Sequence, residues 1–390
     1  MTSPRIRTGI DRLLAGEAGP LGRIAWLANG AAVTTGDLVW GPRAGLAAGL
    51  QVTQLLAPEH GPHSAVKEGA RIASGTDPVT GLPVRSLYAD PSADDDPLGE
   101  ALATTDTVLL DLVDNHARYS TYPATSVTVL ERAAQAGVRV VVLDRANELG
   151  RRREGPGLSP GVRSLVGRID VPIRHGLTLG EMLRWHVRTT GLGVELDVLA
   201  VEGWDDLDRP VAPVPYLPSS PNINGLEAQL LYSGTCLIEG TNLSEGRGTA
   251  NPFQMVGAPW VRAEELVDAL RAQHLPGVAW RAVRFVPLAS KHAGEVCAGV
   301  FAHVVDPPSV RPVQLGVTLL EAVFGLHEEA EILPAAAERP RFLDLLWGSS
   351  RLGDHLAGLG PTRPGDRFTV ETFDGFDEAV RPDLLYPAAA

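Results

Sequence analysis

The chain has 390 residues, which is enough for about two domains. Its hydrophobic content of 44% and charged content of 21% are typical of a globular protein with a large core. A net charge of −13 argues against nonspecific binding to nucleic acid or to an anionic membrane. We therefore expect neither nucleic acid nor a membrane among its partners.

Two further features bear on the compartment. Cys236 and Cys297 are the only cysteines, too few to form a zinc site alone and unlike a disulfide framework. We expect two buried thiols, with a single bridge as the alternative. The first ten residues lack the apolar stretch of a signal peptide, and no later run is long enough to span a bilayer. The sequence therefore predicts a cytoplasmic protein.

The first half of the chain alternates strand-like and helix-like segments. Short aliphatic runs closed by polar residues predict strands buried on both faces, over 23–29, 51–57, 107–113 and 138–144. A helix is predicted over 123–136, with a proline at its start and Gly137 after its end. This alternation is typical of an α/β fold with a Rossmann-like, doubly wound parallel sheet.

The second half predicts a smaller unit. A helix within 172–190 has Thr178 as its N-cap and Glu181 as its capping-box partner. A strand over 194–201 and a Pro/Ser/Asn-rich loop over 213–224 follow. Beyond residue 264 the pattern predicts helices over 264–273 and 313–324 and strands near 279–287 and 295–305. We expect a first domain over residues 1–262 and a second, smaller α/β auxiliary domain over 263–390.

Polar residues follow the predicted strands, at the sheet edge where open α/β folds bind ligands. They are Asn29, Glu59, His60, Asp114, Asp144, Arg145 and Asn147. No G-x-G-x-x-G follows the first strand and no P-loop motif occurs, so no nucleotide cofactor is expected. The histidines and aspartates lack a compact ligand spacing, so no metal is expected either. There is also no G-x-S-x-G elbow of a serine hydrolase.

Four candidates have a structural alternative. Glu59, half buried at a strand end, would have a raised pKa and could act as a general acid, or it could cap a loop. Arg118 could bind a substrate carboxylate or form a structural pair with Asp114. His175 either packs structurally or contacts ligand beside a helix N-terminus. Pro218 and Pro221 fix the loop before Asn222, which is either a precisely held binding residue or part of a connector.

The segment 238–249 is the richest in hydrogen-bonding groups. It contains Glu239, Glu245 and Arg247 and only two large apolar residues, and glycines at 246 and 248 allow tight bends. Such a composition predicts a pocket for a polyol-like, partly anionic ligand. A solvated turn between strands is the alternative.

Together these motifs resemble the NamZ-type exo-β-N-acetylmuramidases, formerly known only as a domain of unknown function. The resemblance extends over nearly the whole chain. Its motifs occupy residues 8–11, 58–61, 81–88, 114–122, 143–147, 154–156, 174–181, 220–222, 239–249 and 384–386.

The resemblance implies a glycoside hydrolase that removes terminal β-linked N-acetylmuramic acid from the non-reducing end of peptidoglycan fragments. It also implies an active site in a cleft between a Rossmann-like and an auxiliary domain. The partner is then a small muramic-acid-containing saccharide, and no cofactor is needed. Glu59 is the expected proton donor, with Glu239, Glu245 or Asp114 as the second carboxylate.

Arg118 or Arg247 would bind the lactyl carboxylate of such a ligand. Thr241, Asn242 and Asn222 would bind its hydroxyl and acetamide groups. The remaining expected contacts are Asn29, His60, Tyr122, Asn147 and His175.

The chain also departs from the family pattern. It has Pro62, His63 and Ser64 where the family has Phe-Arg-Gly, with further changes in 111–114 and at Ala146. We expect these changes at the pocket rim, where they would alter substrate preference. Two alternatives follow: a saccharide-binding protein without catalysis, or an enzyme of specialised metabolism with the same pocket. The sequence leaves stereochemistry and oligomeric state open.

Overall fold

The computed structural model describes residues 6–88, 96–204, 215–336, 339–361 and 366–386. The strands are β1 (Ile24–Ala28), β2 (Val52–Ala57), β3 (Gly75–Thr76), β4 (Pro83–Ser86), β5 (Thr107–Asp111), β6 (Arg139–Leu143), β7 (Leu196–Leu199), β8 (Met255–Ala258), β9 (Val278–Phe285) and β10 (Cys297–Val304). The helices are α1 (Gly9–Leu14), α2 (Gly41–Ala47), α3 (Pro97–Leu102), α4 (Thr121–Ala136), α5 (Leu179–Thr190), α6 (Leu226–Thr235), α7 (Ala263–Arg271), α8 (Pro312–Leu326), α9 (Phe342–Trp347), α10 (Arg351–Ala357) and α11 (Phe376–Val380), with 3₁₀ turns at Cys236–Gly240, Pro307–Ser309 and Arg381–Asp383.

The larger sheet has the strand order β3-β4-β2-β1-β5-β6-β7. All its pairings are parallel except the short β3–β4 pair. Strand β1 is central and fully buried: Ala25 and Leu27 face one apolar cluster, and Trp26 faces another. Burial on both faces explains the continuous aliphatic runs, since helices cover each side of a parallel sheet. The predicted Rossmann-like sheet is confirmed.

Helix signals in the sequence are also confirmed. In α5 the capping box is formed in both directions: the Glu181 N–H donates to Thr178 Oγ1 (3.2 Å), and the Thr178 N–H donates to Glu181 Oε2 (3.0 Å). Helix α4 ends at Gly137, whose φ of 67° is the left-handed conformation that glycine adopts at low cost. These caps fix where each crossover helix meets the sheet.

The smaller unit contains an antiparallel sheet of order β8-β10-β9, packed against α6, α7 and α8. Helices α6 and α8 approach closely because Gly234 faces Gly316: a Cβ on Gly234 would lie 1.7 Å from the Pro312 carbonyl oxygen. Helix α6 and strand β8 pack in this unit although they precede residue 262. The expected boundary at residue 262 stays a prediction.

The cysteines and the lengths of the helices bear on two expectations from the sequence. Cys236 and Cys297 are both free and buried. Across the described ranges, the helices are too short or too polar to cross a bilayer.

Candidate active site

A cavity of about 200 Å³ lies where the carboxyl ends of the large sheet meet the smaller unit. The loops after β2 and β5 supply one side of it, and α6 with the following segment 236–253 supplies the other. Its polar wall includes Glu59, His60, Glu68, Asn115, Tyr122, Asn222, Glu239 and Arg247. Val166, Ile223, Phe253 and Leu346 are among its apolar walls. A mixed polar and apolar lining of this kind suits a sugar, which has hydroxyl edges and apolar faces.

The loop after β2 brings two predicted residues into this cavity. Glu59 is partly buried and accepts a hydrogen bond from the Gly69 N–H (3.3 Å). His60 has a φ of 66° and its Nδ1 donates to the Val66 carbonyl oxygen (2.7 Å). Its Nε2 lies 3.3 Å from Ser220 Oγ. No ion pair joins Glu59 to another described residue, so its carboxyl group is available to a ligand.

Arg247 is the centre of an ion network on the opposite wall. Its nitrogens lie 2.9 Å from Glu239, 3.0 Å from Glu245 and 3.4 Å from Glu68. Its guanidinium also stacks over the Phe253 ring, 5.1 Å from the centroid. Only 11% of the Arg247 side chain is exposed. The three carboxylates raise the Arg247 pKa despite its burial, so this group stays a cation.

The carboxyl groups of this network differ in their pKa. Burial raises the pKa of Glu239, and the Glu245 charge adds to that effect, against the opposing charge of Arg247. Burial also acts to raise the pKa of Glu68, but the Arg247 charge and a hydrogen bond from Asn222 (2.8 Å) lower it overall. Glu68 is therefore the more firmly ionised of the two, and Glu239 is the stronger base.

Glu245 lies behind the wall of the cavity. Its side chain is 1% exposed, and it is held between Arg247 and Lys291, whose Nζ is 3.0 Å away. Lys291 also donates to the carbonyl oxygens of Ile238 (3.0 Å) and Thr241 (2.9 Å). This lysine therefore fixes the segment 238–245 from outside the cavity.

Thr241 and Asn242, expected to bind substrate, have other partners. Thr241 Oγ1 donates to the Ile238 carbonyl oxygen (2.8 Å). Asn242 Nδ2 donates to the Glu329 carbonyl oxygen (2.7 Å), and its Oδ1 accepts from the Glu331 N–H (3.0 Å). Neither side chain lines the cavity. The Asn242 side chain holds the segment to the loop that follows α8, and the Thr241 hydroxyl bonds within the segment.

Arg118 is also placed outside the cavity. Its guanidinium donates to the carbonyl oxygens of Pro156 (2.5 Å), Val171 (3.1 Å), Leu346 (2.8 Å) and Trp347 (2.8 Å). Burial lowers its pKa to about 10. The side chain ties the large sheet to α9, and these bonds would have to break before it could bind a ligand carboxylate.

Asn29 and Asn147 bridge loops at the sheet edge. Asn29 Nδ2 donates to the Val113 carbonyl oxygen (2.8 Å), and Asn147 Nδ2 donates to that of Leu177 (3.0 Å). Both side chains are buried and absent from the cavity lining. Tyr122 does line the cavity, with its hydroxyl donating to the Ser219 carbonyl oxygen.

Asp114 and His175 lie together beneath the sheet edge. His175 Nε2 is 3.8 Å from Asp114 Oδ2, while its Nδ1 accepts from the Leu177 N–H (3.1 Å). His116 lies beside them, and burial lowers its pKa to about 4. A second cavity of about 20 Å³, lined by Asp114, His116 and Glu148 among others, has room for about one water. The described residues form no cluster of three or more ligating side chains suited to a metal ion.

Pro62, His63 and Ser64, which depart from the family pattern, lie outside the cavity. His63 Nε2 is 2.5 Å from Asp77 Oδ1, and its ring packs on Trp40. Ser64 Oγ donates to the Ser219 carbonyl oxygen (2.9 Å) and accepts from the Gly30 N–H (3.0 Å). Neither residue, nor Pro62, is among the described residues lining the cavity. His63 and Ser64 therefore help to hold the loop that carries Glu59 in place.

Sequence reasoning missed several residues of the cavity. Glu68, Asn115 and Tyr232 line it, as does Cys236, whose thiol lies 3.5 Å from Glu239 Oε1. Glu68 is in an irregular loop without periodicity, so no local pattern distinguished it from a solvated charge. Asn115 directly follows Asp114, and its place after β5 was an available signal.

Comparisons with known proteins agree over the length of the chain. Residues 24–227 match the family model for the N-terminal part of exo-β-N-acetylmuramidase NamZ, and residues 230–386 match the model for its C-terminal part. The peptidoglycan β-N-acetylmuramidase NamZ of Bacillus subtilis (strain 168) is 35% identical over 336 residues, which cover 84% of this chain and 79% of that protein.

Solved structures share the architecture. A DUF1343 family protein from Bacteroides fragilis NCTC 9343 superimposes with a TM-score of 0.82 at 27% identity, covering 98% of this chain and 99% of the other. A second from the same organism has a TM-score of 0.68 at 22% identity over 99% and 100% of the two chains, which supports the fold alone. Both halves of the chain match the same family in order, and the chain therefore belongs to the exo-β-N-acetylmuramidase NamZ family.

Proposed function

We propose that this chain is an exo-acting glycoside hydrolase that releases terminal β-linked N-acetylmuramic acid from the non-reducing end of peptidoglycan fragments. One observation supports it most: Glu59 and Glu239 come from different units of the fold and line the same cavity. Glycoside hydrolysis generally requires two carboxyl groups on either side of the scissile bond. Family membership supports the same conclusion.

We assign Glu59 the role of proton donor to the leaving oxygen. Its only hydrogen bond in the described part of the chain is the 3.3 Å contact from Gly69, which leaves most of the carboxyl group free for the substrate. Glu239 then acts on the anomeric centre, as base or nucleophile. Its raised pKa strengthens it in that role, and Arg247 holds it in position at 2.9 Å.

The remaining wall supplies partners for hydroxyl and acetamide groups. Asn222 and Glu68 are bonded to each other at 2.8 Å and present both a donor and acceptors to the cavity. Tyr122, Asn115 and His60 lie on the wall nearer the large sheet. The substrate is then a muramic-acid-containing saccharide. A cytoplasmic role in recycling wall fragments stays a prediction.

The test is product analysis with the disaccharide N-acetylmuramyl-β-1,4-N-acetylglucosamine. The wild-type protein is expected to release both monosaccharides, and Glu59→Gln to retain binding while kcat falls at least 100-fold. The reversed disaccharide, with N-acetylglucosamine at the non-reducing end, serves as control and is expected to remain intact. Binding of the first disaccharide without turnover by the wild type would contradict the proposal.

A further inference from the structure

We propose that Lys291 is a positioning residue: from behind the wall of the cavity it keeps Glu239 in place as a charged carboxylate. It acts through Glu245 and Arg247, which link the two residues by ion pairs. This inference rests on the proposed function, in which Glu239 acts on the anomeric centre. It adds a residue that touches neither the substrate nor the reacting atoms.

The Lys291 ammonium group lies among three oxygens. It donates to the carbonyl oxygens of Ile238 (3.0 Å) and Thr241 (2.9 Å), and it forms an ion pair with Glu245 Oε2 (3.0 Å). A compact ammonium suits oxygens that converge on one point, whereas the planar guanidinium of arginine suits acceptors that lie side by side. Only two of the 34 lysine and arginine residues are lysine, and this geometry explains why one of them is at this position.

The loop between β9 and β10 holds Lys291 against the wall. His292, the next residue, has its Nε2 2.7 Å from the Asn242 carbonyl oxygen. On the other side, the two backbones are so close that a Cβ on Gly248 would lie 2.4 Å from the Ala289 nitrogen. The lysine therefore reaches Glu245 from a loop that is itself fastened to the segment that forms the wall.

Glu245 connects this lysine to the cavity. Its side chain is 1% exposed and lies 3.0 Å from Lys291 Nζ and 3.0 Å from Arg247 Nε. The Nη2 of the same guanidinium lies 2.9 Å from Glu239. Without Lys291, the buried Glu245 carboxylate would depend on Arg247 alone among the described residues and would compete with Glu239 for it. Glu239 would then be held less firmly at the anomeric centre.

The charges of this network also act on the pKa of Glu239. Burial raises this pKa, the Arg247 charge lowers it, and the Glu245 charge raises it again. The Lys291 charge lowers it as well. Removing the charge of Lys291 and removing that of Glu245 should therefore move the Glu239 pKa in opposite directions. Loss of a residue that only stabilised the fold would not produce such a pair of shifts.

Other titratable groups around Glu239 do not disturb this balance. Burial raises the pKa of three of them well above its usual value, so they stay neutral: Tyr119, Tyr232 and Cys236. Glu68 is paired with the same guanidinium, through Nη1 at 3.4 Å. Helices α6, α8 and α9 pack against the turn that carries Glu239. Their acidic residues are bonded elsewhere: Glu227 to Gln254, Glu321 to His355 and Asp344 to Arg341.

The experiment measures kcat and KM for N-acetylmuramyl-β-1,4-N-acetylglucosamine as a function of pH. The acidic limb of the kcat profile reports the carboxylate that acts on the anomeric centre. We expect Lys291→Met to lower kcat about tenfold with KM within about threefold of wild type, and to move this limb up by about half a pH unit. Glu245→Gln should move the same limb down.

The matched control is Arg284→Met, which removes an exposed positive charge from β9, the strand that leads to the Lys291 loop. It should leave both kcat and the limb unchanged. A limb that moves the same way in Lys291→Met and Glu245→Gln, or in neither, would overturn the inference and leave the proposed function standing. If Lys291→Met does not fold, Glu245→Gln decides alone, and a limb that stays in place or moves up overturns the inference.

A second measurement separates this inference from the function on which it rests. If the wild-type protein does not cleave the disaccharide, the proposed function fails, and carbon-13 NMR decides the inference. The side-chain carboxyl carbon of Glu239, assigned by its loss in Glu239→Gln, is titrated in the wild type and in the same variants. The inference requires a higher midpoint in Lys291→Met and a lower one in Glu245→Gln, and any other result overturns it.

Discussion

Two polar regions of this protein are equally prominent in the sequence and have different fates in the fold. The segment 238–249 and the loop after β2 direct Glu239, Arg247 and Glu59 towards a cavity. Most polar groups at the carboxyl edge of β1, β5 and β6 bond to one another and to the backbone, although Asn115 after β5 reaches the cavity. Arg145, for example, lies 2.6 Å from the buried carboxylate of Asp111.

The difference shows that polar residues at a sheet edge do not by themselves make a ligand site. What decides is whether their hydrogen bonds are completed inside the protein. Asn29, Asn147 and the terminal nitrogens of Arg118 donate to backbone carbonyl oxygens, so these side chains join loops. Glu59 and Asn222 keep polar atoms on a surface that a sugar can reach.

The largest effect is expected where the cavity performs chemistry. Glu239→Gln removes the charge at the anomeric centre and should lower kcat about 1,000-fold, with the urea midpoint of unfolding near that of wild type. Asp114→Asn, at the sheet edge, should change the kcat of the folded fraction less than tenfold. Equal loss of kcat in the two variants would remove the distinction between the regions.

Arg247→Met should lower the free energy of unfolding by about 4 kcal/mol, because it leaves Glu239 and Glu68 without a cation and Glu245 with Lys291 alone. The loss should shrink between pH 8 and pH 5, since the abandoned carboxyl groups can then take up protons. Urea denaturation at both pH values measures it. The control is Arg284→Met, which removes an exposed ion pair with Glu264. It should lose less than 1 kcal/mol.

Arg118→Met tests whether Arg118 serves the stability of the fold rather than substrate binding. Four carbonyl oxygens would lose their donor, and the free energy of unfolding should fall by about 3 kcal/mol. The KM of the folded enzyme should stay within twofold of wild type. A KM raised tenfold or more at unchanged kcat would instead mean that this arginine binds substrate.

Glu148→Gln should stabilise the protein by about 2 kcal/mol at pH 8 and have little effect at pH 5. Burial raises the pKa of Glu148 to about 7. Between its unfolded value near 4.5 and pH 7 the folded state holds the extra proton, so stability from this group falls as pH rises. Thermal denaturation across that range measures the slope, and a variant with the wild-type slope would contradict the assignment.

The smallest effect is expected at His63, beside the sheet rather than in the cavity. His63→Gln keeps a donor for Asp77 but loses the ring packed on Trp40, so about 1 kcal/mol of stability should be lost. The kcat/KM for the disaccharide should stay within twofold. A larger change in the preference among substrates would mean that His63 lies at the pocket rim, as the sequence analysis expected.

Much of the frame was predictable from the sequence because its signals are local. Aliphatic runs identified β1, β2, β5 and β6, and a capping box identified the start of α5. Strands β3 and β4 were not predicted, because strands of two and four residues are too short to show a hydrophobic alternation. For the site, local chemistry identified Glu59, Glu239 and Arg247 as candidates.

What the sequence lacked was the partner of each polar group. Glu239 and Glu245 are six residues apart, and the sequence alone does not distinguish them. The Glu239 side chain is 21% exposed at the cavity, whereas that of Glu245 is 1% exposed between two cations. Lys291, some fifty residues away, makes that difference by holding Glu245 at 3.0 Å. Such pairings are set by the tertiary fold.

The most direct test of the central claim is a crystal structure of Glu59→Gln with bound N-acetylmuramyl-β-1,4-N-acetylglucosamine. We predict the terminal sugar in the cavity between residues 59 and 239, with the glycosidic oxygen within hydrogen-bond distance of the residue 59 side chain. A sugar bound instead at the sheet edge, against Asp114, His116 and His175, would contradict this account of the site.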